Sequence, residues 1–185
     1  GTSLTLQTDK GRSFDVAGVV AGLGIQPNTQ LAEQAGLAVE DGILVNDRLQ
    51  SSHPDVFAAG DVARYPDALL GVPRRVEHED AANSQGNIAG RAMAGADDRY
   101  LDSPYFFSDL FELGYEAVGE VDSRLETVPD WQEPFRKGVV YYLREGRVRG
   151  VLLWDIWGQV EAARQLIGAG KKLKPKDIKG RIGTG

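Results

Sequence analysis

Ser52-His53-Pro54-Asp55-Val56-Phe57-Ala58-Ala59-Gly60-Asp61-Val62-Ala63 is the stretch whose reading decides the fold. Val56 to Ala59 is a short apolar run of the kind that forms a buried strand, and it ends in Gly60-Asp61. At the carboxyl end of a strand, Gly60 lets the backbone come close to a ligand. Asp61 then offers a carboxylate to ligand hydroxyls. An isolated Gly-Asp is more often a plain turn, so the argument rests on the whole flanking pattern.

Working outward, Leu4 to Thr8 alternates apolar and polar, Asp9-Lys10-Gly11 is turn chemistry, and Phe14 to Ala21 is a continuous apolar run. This predicts a hairpin feeding a buried strand. Gly22-Leu23-Gly24 and Pro27-Asn28 break that strand. A short helix is expected over Thr29 to Ala35, capped by Asn28 or Thr29 and stopped by Gly36. Ile43 to Val45 is a further short strand. Beyond Asp61, Tyr65 to Pro73 is expected as a Pro-containing loop, followed by a helix from about Glu77 to Met93. Ala81, Ile88, Ala89 and Ala92 fall on one face of it. Ala82, Gly86 and Gly90 form a stripe small enough for a sheet or ligand to approach. Gly95 and Asp97-Asp98-Arg99 mark the expected domain boundary.

The second half differs in character. Tyr105 to Leu110, Ala117 to Val121, Gly138 to Leu143 and Val148 to Trp154 are strand-like, with a hairpin turn at Glu145-Gly146. A closing helix is expected with Val160, Ala163 and Ile167 inward and Gly168 as its stop. Strands followed by a helix predict a small α+β domain. The stretch Lys171 to Arg181 carries six basic residues and reads as a solvated tail.

Composition narrows the classes. The 185 residues suffice for one large or two small domains, and no stretch reaches the roughly 18 apolar residues of a membrane span. Cysteine is absent, which excludes disulfides, thiolate metal sites and a CxxC redox pair. Electrons moved by such a protein must pass through a cofactor. A net charge of −6 argues against non-specific binding to DNA or anionic membranes. The single methionine, Met93, is internal, and the expectation is a segment of a longer chain.

Ser52 to Ala63 resembles the second FAD-binding signature of the two-dinucleotide-domain flavoprotein reductases, where the aspartate binds the ribityl chain of the flavin. Val19 to Asn28, VVAGLGIQPN, resembles the strand and loop by which that family returns from its NAD domain to its FAD domain. Arg74-Arg75-Val76-Glu77-His78-Glu79-Asp80-Ala81, Phe107-Ser108-Asp109-Leu110 and Gly114 to Asp122 are similar to the apoptosis-inducing factor family. So are Lys137 to Arg144 and Gly150 to Ile156. The resemblance covers the chain from about Leu4 to about Lys172.

What it implies is an α/β portion, part of a Rossmann-like FAD-binding domain over 1–96, followed by a small α+β carboxy-terminal domain over 97–185. The implied activity is FAD-dependent NAD(P)H oxidation, with FAD and NAD(P)H as cofactors and a quinone or small redox protein as electron acceptor. The implied cofactor-binding residues are Gly60, Asp61, Glu77, His78, Ala81 and Phe107, and no metal site is implied. No catalytic residue is fixed, but His78 and Phe107 are the flavin-proximal candidates. A helix starting near Glu77-His78 aims free N–H groups and a positive dipole end at what precedes it. On the resemblance, that is the N1/C2=O edge of the flavin ring, where His78 would add a hydrogen bond or positive charge. Phe107 stands where mammalian members carry tryptophan, so the indole N–H donor is lost. Thr127 to Arg136 connects two strands in a few residues where those members have a long insertion. The expected setting is a prokaryotic, cytoplasmic redox role without nucleic acid or a membrane span, with homodimerisation left open. Two alternatives stand beside it: the ferredoxin or rubredoxin reductase component of an oxygenase system, and a cofactor-free interaction or dimerisation module.

Overall fold

A computed structural model describes residues 3–183. The chain opens on an antiparallel hairpin, β1 (Leu4–Gln7) and β2 (Ser13–Val16), with Leu4 paired to Val16. The run predicted to continue as a buried strand does not. The strand stops at Val16, and Val19, Val20, Leu23 and Ile25 are exposed. Among the described residues no other strand pairs with this segment, so its apolar side chains have no layer to bury against. Helix α1 (Gln30–Gln34) follows as expected, with Thr29 at its N-cap and Gly36 at φ +73° just past its end.

Strand β3 (Ile43–Leu44) runs parallel to β4 (Ala63–Asp67), which pairs antiparallel with β5 (Val72–Arg74). This corrects two expectations. Val56 to Ala59 is no regular strand and makes only a single bridge, Gln50 to Phe57. The supposed loop at Tyr65 to Pro73 is largely a hairpin. Its prolines, Pro66 and Pro73, face each other in register. Neither can donate, so they occupy a pair that needs no N–H, and the ladder survives. Between bridge and strand, Gly60–Val62 forms one 3-10 turn.

Helix α2 (Glu79–Met93) starts from His78 as N-cap and buries Ala81, Gln85, Ala89 and Ala92. Ala81 and Ala89 join Leu49, Tyr65, Val76 and Tyr100 in a first core. Of the small-residue stripe, Ala82 lies beside Gly60, while Gly86 and Gly90 face open space.

Five strands make the second sheet, in the order β6-β7-β10-β9-β8: β6 (Tyr105–Leu110), β7 (Leu113–Gly119), β8 (Glu126–Glu133), β9 (Lys137–Arg144) and β10 (Arg147–Trp154). All neighbours are antiparallel. The supposed connection at Thr127 to Arg136 is mostly the eight-residue edge strand β8. Pro129 and three acidic residues masked its strand character, and an edge is where such residues are tolerated. Helix α3 (Val160–Gly168) places Ala163 and Ile167 in a core with Val118, Tyr141, Val151 and Leu153.

The basic tail is also not simply solvated. A short helix, α4 (Pro175–Ile178), leads Ile178 and Ile182 into that core at 0% and 1% exposure. The Ile182 N–H donates to the Tyr141 hydroxyl, and the Gly180 N–H to Asp130. Two isoleucines outweigh the lysines because the latter keep their ammonium groups in water while the chain is pinned. Among the described residues no helix is long and apolar enough to cross a membrane.

Candidate functional site

Gly60 adopts φ +74°, a conformation that costs an L-residue roughly 1–2 kcal/mol. A Cβ there would sit 3.5 Å from that of Ala82, so the turn and α2 are in close contact. The Gly60 N–H donates to Oε1 of Gln85 at 2.8 Å, and Gln85 is almost fully buried on α2. The sequence reading overlooked this residue. Its signal was a polar amide on the buried stripe, four residues from both Ala81 and Ala89.

The turn held by Gln85 presents Asp61 with an exposed side chain. The Asp61 carbonyl accepts from Arg75 at 3.1 Å. Arg75 also pairs with Glu77 at 3.0 Å and with Asp41 at 3.3 Å. The same arginine therefore ties the Gly60-Asp61 turn to the segment that starts α2.

No side chain caps the start of α2, so its first N–H groups are free for a ligand. His78 stands there with its ring 4.9 Å from that of Phe106, and its Nδ1 is buried without a hydrogen-bond partner. Burial, and then the positive charge of Arg74, hold the His78 imidazole below the ordinary histidine range; Asp80, Asp61 and Glu77 pull weakly the other way. Behind Phe106, Tyr115 meets it edge-on at 6.0 Å and stacks on Trp154 at 5.5 Å.

Two cavities open around this helix start. One, of about 480 Å³, is bounded by Arg74 to His78, Phe106 and Gly119 to Asp122. The other, of about 260 Å³, lies between Glu77 to Asp80 and Tyr105 to Phe107. Of the six predicted residues, Glu77 and His78 line both, and Phe107, 58% exposed, lines the second. Gly60 and Asp61 are joined to this region through Arg75 and through the packing of Ala82. Ala81 is different: it is buried in the first core, so its side chain reaches neither cavity.

An exposed carboxylate on a glycine turn, an open helix start and an orphaned imidazole nitrogen suit a polyol chain attached to a flat polar ring. The residues present therefore fit a flavin. Solved structures of flavoprotein reductases share the fold. An FAD-dependent pyridine nucleotide-disulphide oxidoreductase from Desulfovibrio vulgaris matches with TM-score 0.75 and 26% identity over 91% of this chain and 46% of its own. Putidaredoxin reductase, in its covalent complex with putidaredoxin, matches with TM-score 0.78 and 28% identity over 91% of this chain and 40% of its own.

The sequence patterns agree. That of the pyridine nucleotide-disulphide oxidoreductases matches residues 1–86, and that of the carboxy-terminal part of mitochondrion-associated apoptosis-inducing factor matches residues 89–134 and 129–169. Mitochondrial apoptosis-inducing factor 1 of Dictyostelium discoideum is 39% identical over 179 residues, 89% of this chain and 34% of that protein. The ferredoxin–NAD(+) reductase component of the anthranilate 1,2-dioxygenase system of Burkholderia cepacia is 32% identical over 180 residues, 96% of this chain and 44% of that protein. The chain thus spans less than half the length of these curated relatives. It belongs to the pyridine nucleotide-disulphide oxidoreductase family, with a second half of the apoptosis-inducing factor type, and relatives in this family use FAD and NAD(P)H.

Proposed function

We propose that this chain is the flavin-contacting, carboxy-terminal portion of an FAD-dependent NAD(P)H oxidoreductase. The observation that carries the reading is the joining of the Gly60-Asp61 turn, through Arg75, to the uncapped start of α2 at His78. In this reading Asp61 accepts hydrogen bonds from the ribityl hydroxyls. Glu77, His78 and the free N–H groups of α2 face the ring, and Phe107 shields its edge. When bound, FAD supplies the hydride-accepting chemistry, and NAD(P)H is the donor. Residues 1–96 form the FAD-binding portion and 97–185 the carboxy-terminal domain. A cytoplasmic location is favoured by the match to a bacterial oxygenase-system reductase, and a homodimer stays compatible.

Asp61→Ala tests the assignment in the intact polypeptide. A hydrogen bond to a charged group contributes roughly 1.5–3 kcal/mol, so FAD affinity is expected to fall about ten- to a hundredfold with the fold retained. Fluorimetric titration of the apoprotein with FAD measures this, and unchanged affinity would overturn the role of Asp61. A second reading, electron delivery to a ferredoxin-type protein, is favoured by the match to the Burkholderia reductase component. It differs from the first only in the acceptor.

A further inference from the structure

We propose that the cleft between β5 and the β9–β10 hairpin binds a small phosphate-type oxyanion. Arg74, Arg144, Arg147 and Arg149 line a cavity of about 510 Å³ there, with Glu120 and Glu145. It shares Arg74 and Glu120 with the cavity beside His78, and its remaining arginines take no part in the candidate flavin site.

The cations outnumber their partners. Arg74 pairs with the buried Asp67 at 3.3 Å. Glu120 is shared by Arg144 and by Arg149, whose Nε lies 3.6 Å away, buried and without a hydrogen bond. Arg147 donates to the carbonyl oxygen of Gly170, which carries no charge. Arg144 and Arg147 also stand directly opposite each other in the hairpin register. Like charges in that position destabilise a strand pair, and a bound anion removes the penalty.

The geometry favours a small ligand. Arg74 and Arg149 are only 19% and 21% exposed, too recessed for the surface of a docking protein to reach. The guanidinium groups come from three strands rather than one side. A planar carboxylate is saturated by two such forks, whereas a tetrahedral phosphate accepts from several directions.

Isothermal titration of the 185-residue chain with inorganic pyrophosphate, and with citrate as a carboxylate probe, tests the site. Saturable one-to-one binding of pyrophosphate is expected, tighter than that of citrate. Arg147→Ala, at an exposed side chain, should weaken it by about tenfold or more, the size of one charge-assisted contact. Arg136→Ala, on the β8–β9 turn, should leave it unchanged, and urea unfolding of each variant checks the fold. Non-saturating uptake, or equal binding by an Arg144→Ala/Arg147→Ala double variant, means an adventitious ion only and overturns the proposal. So does tighter binding of citrate. If the double variant loses affinity for an acidic ferredoxin while pyrophosphate binding is untouched, the surface docks a protein and the proposal fails.

Discussion

Gln85 and His78 are the residues that prepare the candidate site. Gln85, itself buried, accepts from the Gly60 N–H at a part-buried contact, so Gln85→Leu leaves that donor without its partner. The expected loss is about 1–3 kcal/mol, read as a lower urea midpoint, with weaker FAD binding because the turn that presents Asp61 is loosened. An unchanged midpoint would show that the contact contributes nothing. His78 adds a pH dependence of known sign. Its folded value lies below the ordinary 6.5 through burial and Arg74, so the unfolded chain takes up the proton first. Its contribution to stability is complete above the unfolded value and is lost as pH falls through that value toward the folded one. Between about pH 7 and about pH 5 the urea midpoint of the wild type should fall more steeply than that of His78→Gln. Parallel profiles would remove His78 as the cause.

At the scale of elements, two glycines of different surroundings give opposite expectations. Gly150 lies in β10 next to a register irregularity, and a Cβ there would come within 2.2 Å of the Glu120 carbonyl oxygen. That neighbour is backbone, held by the hydrogen bond from the Glu120 N–H to the Arg149 carbonyl, and it cannot swing aside. Gly150→Ala should cost about 2–3 kcal/mol and lower the thermal midpoint by about 4–12 °C. Gly86, in the middle of α2 with nothing within 4 Å, is the counterpart. Gly86→Ala should gain about 0.5–1 kcal/mol from helix propensity, and calorimetry of the pair checks both directions. Close approach, rather than the identity of the residue, separates the two. Prolines give β8 and the β4–β5 hairpin the sequence character of connections, and their missing N–H groups are tolerated at the sheet edge and at the Pro66–Pro73 pair.

At the scale of the whole molecule, charge bears on which electron acceptor the proposed oxidoreductase would use. The chain carries a net charge of −6, and around the candidate flavin site Arg75 is neutralised by Asp41 and Glu77, and Arg74 by Asp67. An acidic ferredoxin therefore meets little attraction at this edge of the site, whereas a small quinone can reach it near His78 and Phe107 without docking a charged surface. Steady-state NAD(P)H oxidation in the intact polypeptide should be slow with ferredoxin, little changed by ionic strength, and faster with quinone. Fast ferredoxin reduction that collapses as salt rises would reverse this and favour the oxygenase-reductase reading.

The sequence by itself determined the local elements with strong periodicity or punctuation: the opening hairpin, α1 with its Gly36 stop, the long α2, most of the second sheet, and α3. It also singled out Gly60-Asp61 and Glu77-His78 as candidates, because a glycine before a carboxylate and a histidine at a helix start are visible as residue types. Only the tertiary structure decided which groups meet. Arg75 reaches back 14 residues to the Asp61 turn, Gln85 reaches back 25 residues to Gly60, and Ile178 and Ile182 bury beneath a run of lysines. Arg147 and Arg74 share a cleft although a helix and four strands separate them in sequence. Periodicity reports which face of an element is apolar, but not which other element covers it. Hydrogen bonds and ion pairs between distant segments follow from that packing and have no local signature.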